Sequence, residues 1–123
     1  MSLSIETRFE TGGTVVVALH GEIDYATAAD VRFTISTVLT SDDVDAIVVD
    51  LAAVTFLDST GVGTLVVARR ICDDCGVRFR VREPNPFVAK LFTVVGVAEA
   101  LGIPPAPGLR PRRSLDDVTP QRA

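Results

Sequence analysis

The first part of the chain alternates between apolar and polar side chains and then becomes apolar without interruption. Residues 3–9 alternate, Gly12 and Gly13 follow, and residues 15–19 are all apolar. Alternation is typical of a strand with one exposed face, and paired glycines favour a turn. An unbroken apolar run favours a strand that is covered on both faces. We therefore predict a β-hairpin whose second strand lies in the interior of a sheet.

Three later segments carry the signals of helices. Residues 27–39 place apolar side chains at helical spacing, and residues 61–75 follow a helical pattern up to Gly76, a residue favoured just beyond a helix end. The third segment lies between Asn85 and Gly96 and opens with an Asn-Pro pair. Asparagine at the N-cap, proline at the first helical position and glycine after the end are the preferred helix termini.

Two further strands separate these helices. Residues 47–51 form a short apolar run, and residues 77–82 alternate between apolar side chains and three arginines. The order is strand, strand, helix, strand, helix, strand, helix. Strands that alternate with helices need crossover connections, so we predict the α/β class with one partly parallel sheet that is packed by helices.

Length and proline content divide the chain into a domain and a tail. A chain of 123 residues suits one domain with one core. After residue 103 the sequence PPAPGLRP contains too many prolines for a regular element. We predict a domain over residues 1–103 and a partly flexible tail over residues 104–123, with SLDDV as a last helical turn that begins at Ser114.

Charge and hydropathy exclude several classes of partner. The net charge is −4, and because the four Arg and two Asp of residues 104–123 carry +2, residues 1–103 carry −6. Nucleic-acid binding needs a clustered basic face, which an acidic domain does not offer. No apolar run reaches the length of a membrane span, and the N-terminal segment lacks a signal-peptide pattern. We expect a cytoplasmic protein with a protein partner.

The stretch TFLDSTGVGTLV marks a strand-to-helix transition with unusual polar content. Any of Asp58, Ser59 and Thr60 can accept a hydrogen bond as the helix cap. Helix N-termini also hold phosphate groups, so the alternative hypothesis is that Ser59 is phosphorylated there. Gly61 and Gly63 remove side chains beside the hydroxyl, which predicts close access for another protein.

The helix after Ser59 is apolar nearly all round in its first turns. We predict that Val62 and Val66 form an exposed patch for a partner; the alternative, in which a loop covers both valines, stays open. A separate stripe is assigned to the core and contains Leu65, Ala68, Cys72 and Cys75.

The sequence contains no set of residues typical of an enzyme active site or of a metal site. The chain has one histidine, His20, and no nucleophile elbow or phosphate-binding loop, so we predict no enzyme and no cofactor. Cys72 and Cys75 form a C-x-x-C pair at the C-terminal end of a helix, with two aspartates between them, where a thiolate is disfavoured. We expect two partly buried structural thiols. Glu22 and Asp24 on a strand end favour a solvated acidic loop over a metal site.

Two segments resemble the motifs of a known family, the anti-sigma-factor antagonists, which are single STAS domains of bacterial partner-switching systems. HGEIDYATA resembles the family's G-E-[IL]-D motif, and VTFLDSTGVGTLV resembles its D-S-[ST]-G-[LV]-G motif at a strand-to-helix junction. KLFTVVGVAEAL also follows the family pattern, so the resemblance covers residues 3–103.

The resemblance implies a four- to five-stranded mixed sheet packed with helices and a phosphoacceptor at Ser59. It implies that the unphosphorylated protein binds an anti-sigma factor, usually an ATP-binding serine kinase, and so frees a sigma factor during a stress response. Phosphorylation by the kinase would break the complex, and a PP2C-type phosphatase would restore it. The proline-rich segment departs from the family's closing strand and helix. The implied partner-binding residues are Asp24, Asp58, Ser59, Thr60, Gly61, Val62, Gly63 and Val66.

Two other functions remain as alternatives. The same fold suits an accessory or scaffold subunit of a transporter or a larger signalling assembly. A third hypothesis is a redox sensor that uses Cys72 and Cys75.

Overall fold

A computed structural model describes residues 2–99 and 101, and the order of its elements confirms the one predicted from the sequence. The predicted tail and the turn at Ser114 lie outside the described residues. The strands are β1 Leu3–Phe9, β2 Thr14–Ile23, β3 Ala46–Leu57 and β4 Arg78–Arg82. The helices are α1 Ala28–Leu39, α2 Ser59–Asp74 and α3 Pro86–Val95.

The four strands form one mixed sheet in the order β1-β2-β3-β4. β1 pairs with β2 in the antiparallel direction, as predicted for the hairpin, and β2 is an interior strand. β2 with β3, and β3 with β4, pair in parallel, because a helix crosses over between the strands of each pair. The α/β class with a four-stranded mixed sheet is therefore confirmed.

The core lies between one face of this sheet and the helices. Alternate residues of β2 and β3 point into it, since side chains along a strand alternate between the two faces. Burying an aliphatic side chain of this size contributes about 1.5–3 kcal/mol. The strand residues of the core include Val15, Val17, Leu19, Ile47, Val49 and Leu51, and the helices add Val31, Ile35, Leu65, Cys72, Val88 and Phe92.

β3 is longer than the predicted strand over residues 47–51. In its second half Val54 and Leu57 are buried, while the two residues between them are exposed. The pairing with β2 shifts register between Ala18 and His20 and again between Gly21 and Glu22. Such irregularities break the period of two that identifies a strand in a sequence, which is why the predicted strand ended at residue 51.

α3 begins and ends as predicted. The Asn85 side chain accepts a hydrogen bond of 2.8 Å from the Val88 N–H, and Gly96 has the left-handed conformation that ends the helix. The Asn85 amide also donates to the Val54 carbonyl at 2.8 Å, which ties the start of α3 to β3. None of the helices in the described part of the chain is long and apolar enough to cross a membrane.

Replacing Asn85 by alanine removes both hydrogen bonds. We expect Asn85→Ala to lower the free energy of unfolding by about 1–2 kcal/mol in urea titrations. Asn85→Asp keeps an acceptor for the helix cap but loses the amide donor, so we expect an intermediate value. Ser36→Ala on the exposed side of α1 is the control, and an Asn85→Ala protein as stable as this control would contradict the assignment.

Candidate functional site

The parallel pairing of β2 and β3 brings two loops together at one edge of the sheet. Ile23 and Leu57, the last residues of the two strands, are partners in the register. Asp24 and Asp58 therefore leave the sheet side by side. The Asp58 N–H donates to the Ile23 carbonyl at 3.2 Å, which joins the start of α2 to the loop that precedes α1.

Asp58 is the residue that caps α2. Its backbone is extended, and its Oδ1 accepts a hydrogen bond of 2.9 Å from the Gly61 N–H. Of the three candidates at this helix start, the structure thus gives the capping role to the aspartate. The carboxylate also places a negative charge at the positive end of the helix dipole, which is a favourable arrangement.

Ser59 is the first residue of α2, and it is exposed. Its hydroxyl makes no hydrogen bond to any other residue within 2–99 and 101. Since the cap is supplied by Asp58, the local fold does not depend on the Ser59 hydroxyl. The oxygen is therefore accessible, and a group attached to it would stand beside the unpaired backbone N–H groups of the first helical turn.

The Asp24 side chain stabilises the turn that follows it. Its Oδ1 accepts hydrogen bonds from the backbone N–H groups of Ala26 at 3.0 Å and Thr27 at 3.1 Å. The buried Thr27 hydroxyl donates to the Glu22 carbonyl at 2.9 Å and accepts from the Asp24 N–H at the same distance. Thr27 stands at the predicted helix start without capping α1. These bonds hold the loop in one conformation beside Ser59.

Glu22 and Asp24 are both partly exposed. Within residues 2–99 and 101, no group of three or more His, Cys, Asp or Glu side chains is arranged to hold a metal ion.

Gly61 has a different role from the one predicted. It is buried, and a Cβ on it would lie 2.7 Å from Leu57 Cδ1 and 2.8 Å from the Ile23 carbonyl oxygen. The missing side chain lets the first turn of α2 rest against the ends of β2 and β3, so it does not serve access from outside. Gly63 is exposed, with nothing within 4 Å of its Cβ position, which agrees with an open surface there.

The prediction of an exposed patch is wrong for Val62. Val62 is only 8% exposed and belongs to the core, and Val66 is partly buried against the same core. The apolar stripe of α2 is wider than its spacing suggested, because Gly61 lets the start of the helix rest against the ends of β2 and β3.

Two aromatic residues that the sequence did not single out are exposed at this edge. Tyr25 follows Asp24 and is 84% exposed, and Phe56 precedes Leu57 and is 42% exposed. The only signal for Tyr25 was an aromatic residue inside a polar loop. Phe56 could not be distinguished from a core residue without the register shifts of β2 and β3.

The two cysteines differ more than predicted. Cys72 is fully buried, in agreement with the predicted core stripe, but Cys75 is exposed because α2 ends at Asp74. Burial raises the pKa of Cys72 from 9.0 to about 11, and the nearby Cys75 and Asp73 add to the increase. The Cys72 thiol is therefore protonated at neutral pH, a state in which it is a poor nucleophile.

This fold, with two strand ends and a serine at a helix start, defines a STAS domain. The family model of the STAS domain matches residues 6–110, and the chain belongs to that family. The chain is similar to the anti-sigma F factor antagonist of Lysinibacillus sphaericus, with 31% identity over 87 residues. The alignment covers 71% of this chain and 74% of that protein.

Solved structures agree with the family assignment. An anti-sigma factor antagonist from Mycobacterium paratuberculosis superposes with a TM-score of 0.68 at 28% identity, covering 88% of both chains. SpoIIAA of Bacillus, solved in a phosphorylated form, superposes with a TM-score of 0.60 at 29% identity, covering 72% of this chain and 80% of its own. The unphosphorylated form of SpoIIAA, an anti-sigma factor antagonist, gives the same TM-score and identity.

The two glycines of α2 provide a matched test of this geometry. We expect Gly61→Ala to lower the free energy of unfolding by about 1–3 kcal/mol, because the new methyl group overlaps Leu57 and the Ile23 carbonyl. We expect Gly63→Ala to raise it by up to about 1 kcal/mol, since the site is open and alanine favours a helix. Urea titration measures both, and equal stabilities of the two variants would contradict the packing described here.

Proposed function

We propose that this protein is an anti-sigma factor antagonist that acts by binding and not by catalysis. The unmodified protein binds an anti-sigma factor of the serine kinase type and so releases the sigma factor. The family membership and the similarity to anti-sigma factor antagonists support this role. The acidic charge of residues 1–103 favours a protein partner over nucleic acid.

The observation that carries the proposal is the exposed Ser59 hydroxyl beside an independent helix cap. The kinase transfers a phosphoryl group to the Ser59 oxygen, and the PP2C-type phosphatase removes it by hydrolysis. Asp58 still caps α2 in either state, so modification alters the surface and leaves the helix start in place.

Electrostatics explain how the phosphate releases the partner. A phosphoserine adds about −1.5 to −2 charge at neutral pH. Asp58 directly precedes Ser59, and Asp24 follows the paired end of the neighbouring strand, so the negative charge becomes concentrated at one edge of the sheet. Burying this added charge in an interface that supplies no opposite charge costs on the order of a few kcal/mol, which is enough to lower the affinity by more than tenfold.

The docking surface consists of the exposed and partly exposed groups around Ser59. Tyr25 and Phe56 supply apolar area of the kind that is enriched in protein interfaces, and Thr60 and Gly63 extend it along α2. Gly61 contributes by holding the helix start against the sheet.

The experiment requires the partner, which a pull-down with unmodified protein followed by mass spectrometry identifies. With the purified kinase and ATP, we expect one phosphate on Ser59, none on Ser59→Ala and wild-type phosphorylation of Thr60→Ala. Calorimetry then compares affinities. We expect Ser59→Ala to bind like the wild type and Ser59→Asp to bind at least about tenfold more weakly.

Two results would reject this mechanism. The first is a phosphate on another residue while Ser59→Ala is still modified. The second is a Ser59→Asp variant, and a phosphorylated protein, that bind the kinase with undiminished affinity. Circular dichroism of each variant shows whether a loss of binding reflects a loss of fold.

A further inference from the structure

The two edges of the sheet differ in how they are covered. At the β4 edge the Val81 N–H donates to the Leu101 carbonyl at 3.1 Å, so the chain beyond α3 returns to pair there. β1 is the opposite edge, and within residues 2–99 and 101 it has a strand neighbour only on the β2 side. An edge strand of seven residues is a template for pairing with another strand.

The register of β1 identifies which backbone groups face outward. β1 and β2 pair without a bulge, and hydrogen bonds join Glu22 N–H to Ser2 at one end and Glu10 N–H to Thr14 at the other. In an antiparallel pair such bonds fall on alternate residues. The even-numbered residues of β1 therefore bond to β2, and the odd-numbered residues direct their N–H and C=O groups to the free edge.

The side chains of β1 are complementary to those of a second, antiparallel copy. Glu6 and Arg8 lie on one face, two residues apart and of opposite charge, and both are exposed. Ile5 and Phe9 lie on the other face, and Phe9 is 63% exposed although it is the largest apolar residue of the strand.

We propose that β1 pairs with β1 of a second copy of this chain about a twofold axis through Thr7. In this register Glu6 of each copy faces Arg8 of the other, and Phe9 faces Ile5 of the other. Opposite-charge and aromatic–β-branched pairs across strands are stabilising, whereas like charges that face each other are destabilising. The two sheets join into one continuous sheet across the twofold axis.

Neighbouring registers are less favourable. An axis through Glu6 places the two Glu6 carboxylates opposite each other, and an axis through Arg8 does the same for the two guanidinium groups. An axis through Ile5 leaves Glu6 facing Ser4 and Arg8 facing Ser2 of the other copy, so neither charge meets an opposite charge across the pairing. An axis through Phe9 sets Arg8 against Glu10, which lies beyond the end of β1, and leaves Glu6 opposite Gly12. Of these axes, only the one through Thr7 gives both charged residues of the strand an opposite charge.

This dimer is independent of the proposed switch at Ser59. α2 follows β3, and β3 is separated from the free edge by both β2 and β1. Pairing through β1 thus leaves the candidate site exposed, and the experiment below uses neither a kinase nor a phosphate.

Charge reversal at Glu6 and at Arg8, first in separate variants and then in a mixture of the two, tests the register of the proposed dimer. Sedimentation velocity over micromolar to millimolar concentrations should show a concentration-dependent dimer of the full-length protein. We expect Glu6→Arg and Arg8→Glu, each alone, to raise the dimer dissociation constant by about tenfold or more, because the twofold axis changes two pairs at once. An equimolar mixture of the two variants should restore a dimer, since each edge then carries the opposite charge of the other.

Thr7→Pro tests the backbone pairing separately. It removes an N–H group that faces the free edge and leaves the bonds between β1 and β2 in place, so we expect a folded monomer by circular dichroism and sedimentation. Thr7→Val keeps the N–H group and should remain dimeric. The proposal is overturned if the wild type stays monomeric at millimolar concentration. It is also overturned if the charge-reversed variants dimerise like the wild type, or if their mixture forms no heterodimer.

Discussion

The parallel pairing of β2 with β3 is the interaction on which the rest of this site depends. Because Ile23 and Leu57 end their strands as register partners, the Asp24 loop and the start of α2 leave the sheet together. The bond from Asp58 N–H to the Ile23 carbonyl fixes their relative position. Gly61 completes the arrangement, since any larger residue would push the helix away from both strand ends.

At the start of α2, the helix cap and the accessible hydroxyl belong to two different residues, whereas a single residue often supplies both. Asp58 satisfies the backbone of the first turn, and Ser59 carries a hydroxyl that the fold does not use. A residue with no structural task can be modified at little cost in stability. The proposed switch therefore works through surface charge on a rigid framework, with the Asp24 turn held in place by Thr27.

Local signals in the sequence were sufficient to predict the helices and strands and the position of Ser59 at a helix start. The Asn-Pro pair before α3 and Gly96 after it predicted both ends of that helix, because capping depends on neighbouring residues. The residues of the two motifs located Ser59 at a strand-to-helix junction, and the structure places it at the first position of α2. The alternation of strands and helices predicted the α/β class, and the family resemblance implied a four- to five-stranded mixed sheet; the observed four-stranded sheet confirms both.

The features that the sequence did not predict depend on contacts between residues that are far apart in the chain. Helical spacing gave the direction of the apolar stripe of α2 but neither its width nor the end of the helix, so Val62 was assigned to the surface and Cys75 to the core, both incorrectly. The role of Gly61 arises from Ile23, which is far away in the sequence. Phe56 lies in the part of β3 that has extra residues relative to β2, and this irregularity depends on how the two strands pair.

The most direct measurement is the backbone amide spectrum of the protein phosphorylated at Ser59, recorded with hydrogen exchange and compared with the unmodified protein. A rigid framework predicts shift changes confined to residues 58–63 and 24–27, with the Gly61 amide still protected by Asp58. Shift changes that spread along β2 and β3, or loss of protection at Gly61, would show that the phosphate acts by altering the fold, and would contradict the central claim.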